Sequence, residues 1–166
     1  MSKLNKLDLR KYFLELQQNE GFKWIAIRSA DLTKPCTECQ NKEPSNNDQP
    51  QAYCKTCLGI GFSFTDKLSK GFRYQAAPGF DNKSNLGILN LKTQVYMLAY
   101  DANPKPVDWI LELQLNEQDG NPVQPFKITN AFKIEDALQM RGDHGRIEFW
   151  RCFVRERNLD LGQRIA

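Results

Sequence analysis

Two cysteine pairs are the residues of this chain whose type and spacing most clearly predict chemistry. Each pair has the spacing CxxC, fourteen residues separate the pairs, and the four cysteines are Cys36, Cys39, Cys54 and Cys57. A structural zinc ion takes four thiolate or imidazole ligands at tetrahedral corners, about 2.3 Å from each sulfur. Gly59 and Gly61 follow the second pair, where a tight turn would aim backbone N–H groups at sulfur. The sequence therefore predicts one structural Zn²⁺ per chain, and the alternatives are a disulfide pair or a redox CxxC.

Few other residues suggest chemistry. Four thiolates would fill a tetrahedral shell and leave no open position for water, so we expect the zinc to be structural. The single histidine, His144, lies beside Asp143 between two glycines, which is typical of a hairpin turn. A general base formed by His144 and Asp143 is the enzymatic alternative. Cys152 lies in a predicted strand between Arg151 and Phe153 and is predicted to be a buried thiol. We therefore predict no catalytic residues and no enzymatic activity.

Composition limits the classes of partner. The chain has 166 residues and a formal net charge of +3. Four thiolates around one Zn²⁺ would carry two negative charges and leave the chain nearly neutral, which weakens any argument for nucleic acid from bulk charge. No apolar run approaches the ~20 residues that a membrane span requires, and the first residues lack the apolar region of a secretory signal. We expect no membrane partner and folding in a reducing cytoplasm.

The elements that would position the cysteines begin with a helix. Asp8 is a suitable N-cap, and the helix should run to about Asn19, with Gly21 closing it. Its residues Leu9, Tyr12, Phe13 and Leu16 share one apolar face, so the helix should pack on the core or on a neighbouring subunit. A short strand over residues 22–28 should then lead into the metal site.

The segments after the second cysteine pair predict an antiparallel sheet. Apolar and polar residues alternate between turn-forming clusters, as in strands that are buried on one side. The predicted strands are 60–68, 71–75, 87–101, 109–115, 128–134 and 146–157, with a loop at 77–86. On the strand at 109–115 we expect a buried face and an opposite face mostly exposed to water; the buried face consists of Trp109, Leu111, Leu113 and Leu115. On the strand at 128–134 we expect Ile128, Phe132 and Ile134, at alternate positions, to share one face.

The predicted fold class is mainly β, with an N-terminal helix, an inserted four-cysteine zinc turn and a small antiparallel β-barrel or sandwich. We divide the chain into four parts. Residues 1–33 form the N-terminal helix and strand, 34–61 the zinc-binding insertion, 62–158 the barrel or sandwich, and 159–166 a C-terminal tail. Four metal bonds would stabilise a loop-rich insertion that cannot build a core of its own.

The layout of residues 7–157 resembles small zinc-containing virion proteins of tailed bacteriophages. The resemblance rests on a short helix, a Trp-x-x-Ile-Arg-like phrase, a CxxC pair, a polar loop and CxxCxGxG before an aromatic strand. It also includes the strand phrases at 108–113 and 141–150. The resemblance implies a structural subunit of the neck or head–tail connector, with a tail or baseplate subunit as the alternative. It carries no catalytic residues.

The resemblance also implies partners and a location. We expect copies of the same chain in a ring, together with other virion proteins, in the virion and in the host cytoplasm during assembly. A zinc ribbon joined to an oligonucleotide-binding-type barrel is the rival interpretation, because aromatic residues lie near basic ones and can stack on bases. Its candidate residues are Phe62, Phe64, Phe72 and Tyr74, near Lys67, Lys70 and Arg73. A basic strip that faces DNA or an acidic partner is a further alternative; it consists of Arg146, Arg151, Arg155, Arg157 and Arg164.

Overall fold

The computed structural model describes residues 8–18, 21–40, 54–75 and 94–159. Its main elements are six antiparallel strands and a short N-terminal helix. The helices are α1 (Leu9–Leu16) and α2 (Thr37–Gln40), and a 3₁₀ turn covers Asp143–Gly145. The strands are β1 (Lys23–Pro35), β2 (Phe62–Gln75), β3 (Gln94–Ala99), β4 (Trp109–Leu113), β5 (Ile128–Arg141) and β6 (Ile147–Arg157). The predicted loop at 77–86 and the tail after Leu159 lie outside the described residues.

The strands close into a barrel in the order β1-β2-β3-β6-β5-β4. Two three-stranded meanders, β1–β3 and β4–β6, are joined where β3 pairs with β6 and where β4 pairs with β1. The predicted mainly β class is confirmed, and of the two predicted architectures the barrel is the one observed. The strand predicted at 22–28 is a barrel strand and continues to Pro35. The residues between Pro35 and Phe62, here called the cysteine segment, therefore connect two neighbouring barrel strands.

Both surfaces of one part of the barrel wall are buried. The barrel interior contains Ile110 and Phe132, among other apolar side chains. A second cluster lies on the outer surface of β1, β4 and β5, where Leu58 of the cysteine segment and Leu159 pack on Trp109. The prediction of an exposed face on β4 is wrong at Ile110, because this side chain points into the barrel interior, while the predicted buried face with Trp109 lies on the outer surface beneath Leu58.

Helix α1 lies on the outer surface of the barrel. Asp8 caps it, accepting a hydrogen bond from the Lys11 N–H at 3.3 Å, as predicted. Phe13 is buried and stacks on Phe149 of β6, with ring centroids 5.1 Å apart. The other members of the predicted apolar face, Leu9, Tyr12 and Leu16, remain exposed. The helix therefore packs on the barrel through one side of its surface and leaves most of its apolar residues uncovered.

Two predicted strand features are wrong for local reasons. Gly71 was expected to begin a returning strand, but it lies inside the continuous strand β2. A Cβ there would lie 2.8 Å from Ile25 Cδ1, so the glycine serves close packing instead of a turn. Ile128 was expected to share a face with Phe132, but a register shift in the β4–β5 pairing places Ile128 in the outer cluster.

Candidate metal centre

The four predicted ligands meet at one point beside the barrel. Cys36 follows the last residue of β1, Cys39 lies in α2, and Cys54 and Cys57 lie on the turn that leads into β2. Their four Sγ atoms all lie within 4.8 Å of one another. The Cys36–Cys54 and Cys39–Cys57 sulfur distances are 3.9 and 3.5 Å, and none of the four cysteines forms a disulfide.

This arrangement fits a tetrahedral metal ion. Metal–sulfur bonds of about 2.3 Å at tetrahedral angles place neighbouring sulfurs about 3.8 Å apart, close to the observed separations. A disulfide needs about 2.05 Å between the two sulfurs, and both observed distances are far longer. The four cysteines can therefore bind one metal ion, and each of the two close sulfur pairs joins one cysteine from each CxxC.

The turn that carries the second pair is shaped by left-handed residues. Leu58, Gly59 and Gly61 have φ values of 54°, 81° and 85°. This path brings the Gly61 N–H to 3.3 Å from Cys57 Sγ, the N–H···S contact that stabilises a thiolate ligand. Burial by itself raises the pKa of the Cys57 thiol, but hydrogen bonds from Gly61 and Cys39 outweigh it, so that the pKa lies below its usual range. The pKa of Cys54 is raised, chiefly by burial.

Two arginines fasten this turn to the barrel, and the sequence did not single out either one for that role. Arg28 of β1 is 3% exposed and donates two hydrogen bonds to the Asp66 carboxylate, at 2.7 and 2.6 Å. The same guanidinium donates to the Thr56 carbonyl at 3.3 Å. Arg157 of β6 donates to the Leu58 carbonyl at 2.5 Å. The backbone between and just after Cys54 and Cys57 is thus held from both strands.

The remaining candidates for chemistry are separated from this centre. His144 lies exposed in the 3₁₀ turn between β5 and β6, with φ of 62°, as the hairpin-turn interpretation predicts. Cys152 is fully buried in the barrel interior, which confirms the predicted burial. Burial, together with the nearby carboxylates of Asp136 and Asp108, raises the pKa of its thiol to about 12. Cys152 is therefore protonated at neutral pH.

The aromatic residues of the nucleic-acid interpretation do not form one platform. The Arg28 guanidinium lies over the Phe64 ring, with its Cζ atom 3.6 Å from the ring centroid. Phe72 packs against Phe22. Tyr74 continues the aromatic row from Phe72 towards the end of β2. The ring faces that would stack on bases are thus divided along the strand and partly covered by side chains of the same chain.

The C-terminal arginines also point to different partners. Arg146 binds Asp8 and Glu148, and Arg155 binds Glu135 at 2.9 Å. Arg151 lies over the rings of Tyr74 and Phe153. Described members of the predicted basic strip therefore neutralise local carboxylates or pack on aromatic rings, and Arg164 lies outside the described residues.

Within the described ranges, no helix is long and apolar enough to cross a membrane.

Two comparisons with known proteins identify no relative. A scan against protein-family models finds no match, and a search of curated proteins finds no match either.

Proposed function

We propose that the four-cysteine centre binds Zn²⁺ and that the ion is structural. Cysteine thiolates are ligands that Zn²⁺ prefers, and four of them complete its tetrahedral shell with no position left for a substrate. The centre lies between β1 and β2, and its turn carries Leu58 into the outer apolar cluster. Zinc would hold this cover on the barrel wall, so its binding energy contributes to folding.

Metal analysis of the purified chain tests the ion. We expect about one Zn²⁺ per chain and loss of near-ultraviolet ellipticity from Trp109 when a chelator removes it. Cys54→Ser should lower metal content and thermal stability together, whereas Cys152→Ser should preserve the metal content. A well-folded, metal-free protein whose stability does not respond to added zinc would contradict the proposal.

We propose further that the chain is a structural subunit of a tailed-bacteriophage virion, in the neck or head–tail connector. A tail or baseplate position is the second candidate. The resemblance in layout supports this proposal, and one observation carries it beyond layout. The exposed apolar side of α1, formed by Leu9, Tyr12 and Leu16, is the kind of surface that a neighbouring copy in a ring covers.

The orientation of α1 explains why this side is uncovered. Its barrel-facing residues are Arg10, Phe13 and Gln17, spaced i, i+3, i+7; Arg10 donates to the Ile147 carbonyl and Gln17 to the Lys70 carbonyl. The exposed apolar side has the same spacing, one residue earlier, and is therefore rotated by about 100° around the helix. The helix is held firmly by one side while the adjacent apolar side faces outwards.

Oligomeric mass and particle composition test the assembly role. We expect the purified chain to form oligomers of defined symmetry, measured by light scattering and particle imaging. Tyr12→Asp should weaken association without lowering the melting temperature, because Tyr12 is 51% exposed. Leu138→Asp, on an exposed leucine of β5, is the matched control. Mass spectrometry of purified phage particles that fails to find the chain would contradict a virion location.

A further inference from the structure

A groove of about 520 Å³ lies beside the metal centre, between β1 and the loop that precedes β4. Leu32 of β1 and Val107 of the loop both line it and are 66% and 52% exposed. Trp109 lines the groove and is almost fully buried. Two aliphatic side chains are thus kept in water beside an apolar floor, although both could lower their free energy by being covered.

The loop holds Val107 in a conformation that a β-branched residue rarely adopts. Its φ is +85°, in the left-handed region. Asp108 is buried and accepts hydrogen bonds from the Ser29 hydroxyl and the Lys105 N–H, both at 2.9 Å. The Val107 N–H donates to the Ile134 carbonyl at 3.2 Å. These contacts hold a strained residue with its side chain exposed, a combination that clusters at binding sites.

The same turn leaves one side of β1 unpaired. The β1–β4 register ends at Arg28 opposite Trp109, and its continuation would place Ala30 opposite Val107. The chain turns towards β5 at that point instead. Ala30, Asp31 and Pro35 pair with β2 on one side, with an irregularity at residues 32–34 between them. On the other side, within the part of the chain that the structure describes, this segment pairs with no strand. An exposed strand edge of this kind can receive an extended segment as an additional strand.

Charges along the groove favour an acidic ligand. Three cations line it, Lys133, Arg155 and Arg157, against one acid, Glu156. Lys133 and Arg155 lie directly opposite each other in the β5–β6 pairing, an unfavourable arrangement of like charges. Glu135 binds Arg155 and relieves part of this repulsion. A carboxylate placed near Lys133 would relieve more of it.

We propose that this groove binds an extended, acidic segment of a partner protein, which adds a strand to β1 beyond Ser29. An apolar side chain of the segment would lie between Leu32 and Val107, and its carboxylates would lie near Lys133 and Arg155. Aliphatic walls and a buried indole suit a side chain better than a stacked base, which favours peptide over single-stranded nucleic acid. The inference rests on the proposed assembly role only in taking the partner to be a protein.

Fluorescence anisotropy with the full chain tests the proposal. The probe is a short fluorescein-labelled peptide in which a valine has a glutamate two residues before it and two residues after it, with threonine between, so that all three side chains face the groove. The comparison probes are the same peptide with lysine for glutamate and a labelled oligothymidylate. We expect the glutamate peptide to bind, and Leu32→Asp and Lys133→Glu each to weaken binding about tenfold or more. Leu138→Asp and Lys127→Glu, at exposed positions that do not line the groove, should leave binding unchanged.

Several outcomes would overturn the proposal. They are no binding of the glutamate peptide, equal binding of the lysine peptide, stronger binding of oligothymidylate, or equal loss in the control variants. Circular dichroism checks each variant for folding, and if Leu32→Asp does not fold, the comparison of Lys133→Glu with Lys127→Glu decides alone. Oligomeric mass, measured separately with Tyr12→Asp, reports on the α1 surface, so failure of one proposal is distinguishable from failure of the other.

Discussion

Replacing Arg28 by alanine should destabilise both the barrel and the metal centre. The guanidinium is 3% exposed, makes a two-bond ion pair with Asp66 and donates to the Thr56 carbonyl between two metal ligands. Removing one partner of a buried ion pair costs about 3–5 kcal/mol. Asp66 keeps 33% of its side-chain surface in water, which will partly solvate the unpaired carboxylate, so we expect the lower end, about 3 kcal/mol.

This loss predicts two measurable effects. At about 2–4 °C per kcal/mol for a chain of this size, the melting temperature of Arg28→Ala should fall by about 6–12 °C. The lost hydrogen bond to the Thr56 carbonyl, about 1.5 kcal/mol for a charged donor, should weaken zinc binding about tenfold in a competition titration with a chromophoric chelator. Arg28→Lys should be intermediate, because lysine keeps the charge but cannot make the two-bond geometry.

An exposed ion pair gives the matched control. Arg155 and Glu135 are 2.9 Å apart, as close as a strong ion pair, but their side chains are 62% and 41% exposed. Arg155→Ala should therefore cost less than about 1 kcal/mol and leave zinc affinity unchanged. If Arg28→Ala melts within a degree or two of the parent, or binds zinc equally well, then Arg28 does not connect the barrel to the metal centre.

Three further predictions concern single positions. Gly71→Ala should cost about 1–3 kcal/mol in urea unfolding, because its Cβ would meet the buried Ile25 side chain at 2.8 Å; an unchanged midpoint would show that the interior can yield. Cys152, with its pKa of about 12, should react with a thiol reagent only when the protein unfolds, even after a chelator has exposed the other four cysteines. If all five cysteines react equally fast, Cys152 is not buried. Hydrogen bonds from the Lys11 N–H and Arg146 lower the pKa of the Asp8 carboxyl. Its contribution to the stability of α1 is therefore present above the ordinary carboxyl pKa and is lost as the pH falls through the lowered pKa. On acidification through this range, helical ellipticity should fall in the parent but not in Asp8→Ala.

The sequence predicted the parts of this protein that depend on local chemistry. Four cysteines in two CxxC pairs identify their own cluster, because few other uses of that spacing exist in a reduced protein. Asp8 identifies the start of α1, because its side chain satisfies a backbone N–H only a few residues away. The alternation of apolar residues identified a mainly antiparallel β fold.

The sequence could not predict which surfaces are covered by segments that lie far away in the chain. Trp109 is buried on the outer wall because the turn at Leu58 lies against it, a contact between segments far apart in the chain, whereas Ile110 is buried by closure of the barrel. Arg28 looked like the polar end of a short strand, and its partner Asp66 lies on the next one. For the apolar side of α1 the sequence left open whether it faces the core or a neighbouring subunit, because spacing shows which residues share a face but not which way that face turns.

The pairing of β1 with β4 has a consequence for how the chain folds as it is synthesised. The first meander, β1–β3, emerges before any residue of β4. Until the second meander follows, β1 and β3 are therefore each paired on one side only, with β2. Such late, long-range pairings are slow and leave sheet edges open to aggregation. A metal ion that closes the connection between β1 and β2 would reduce the entropy cost of the first hairpin. Zinc supply during translation, as well as zinc content afterwards, would then determine how much of the chain reaches the closed barrel.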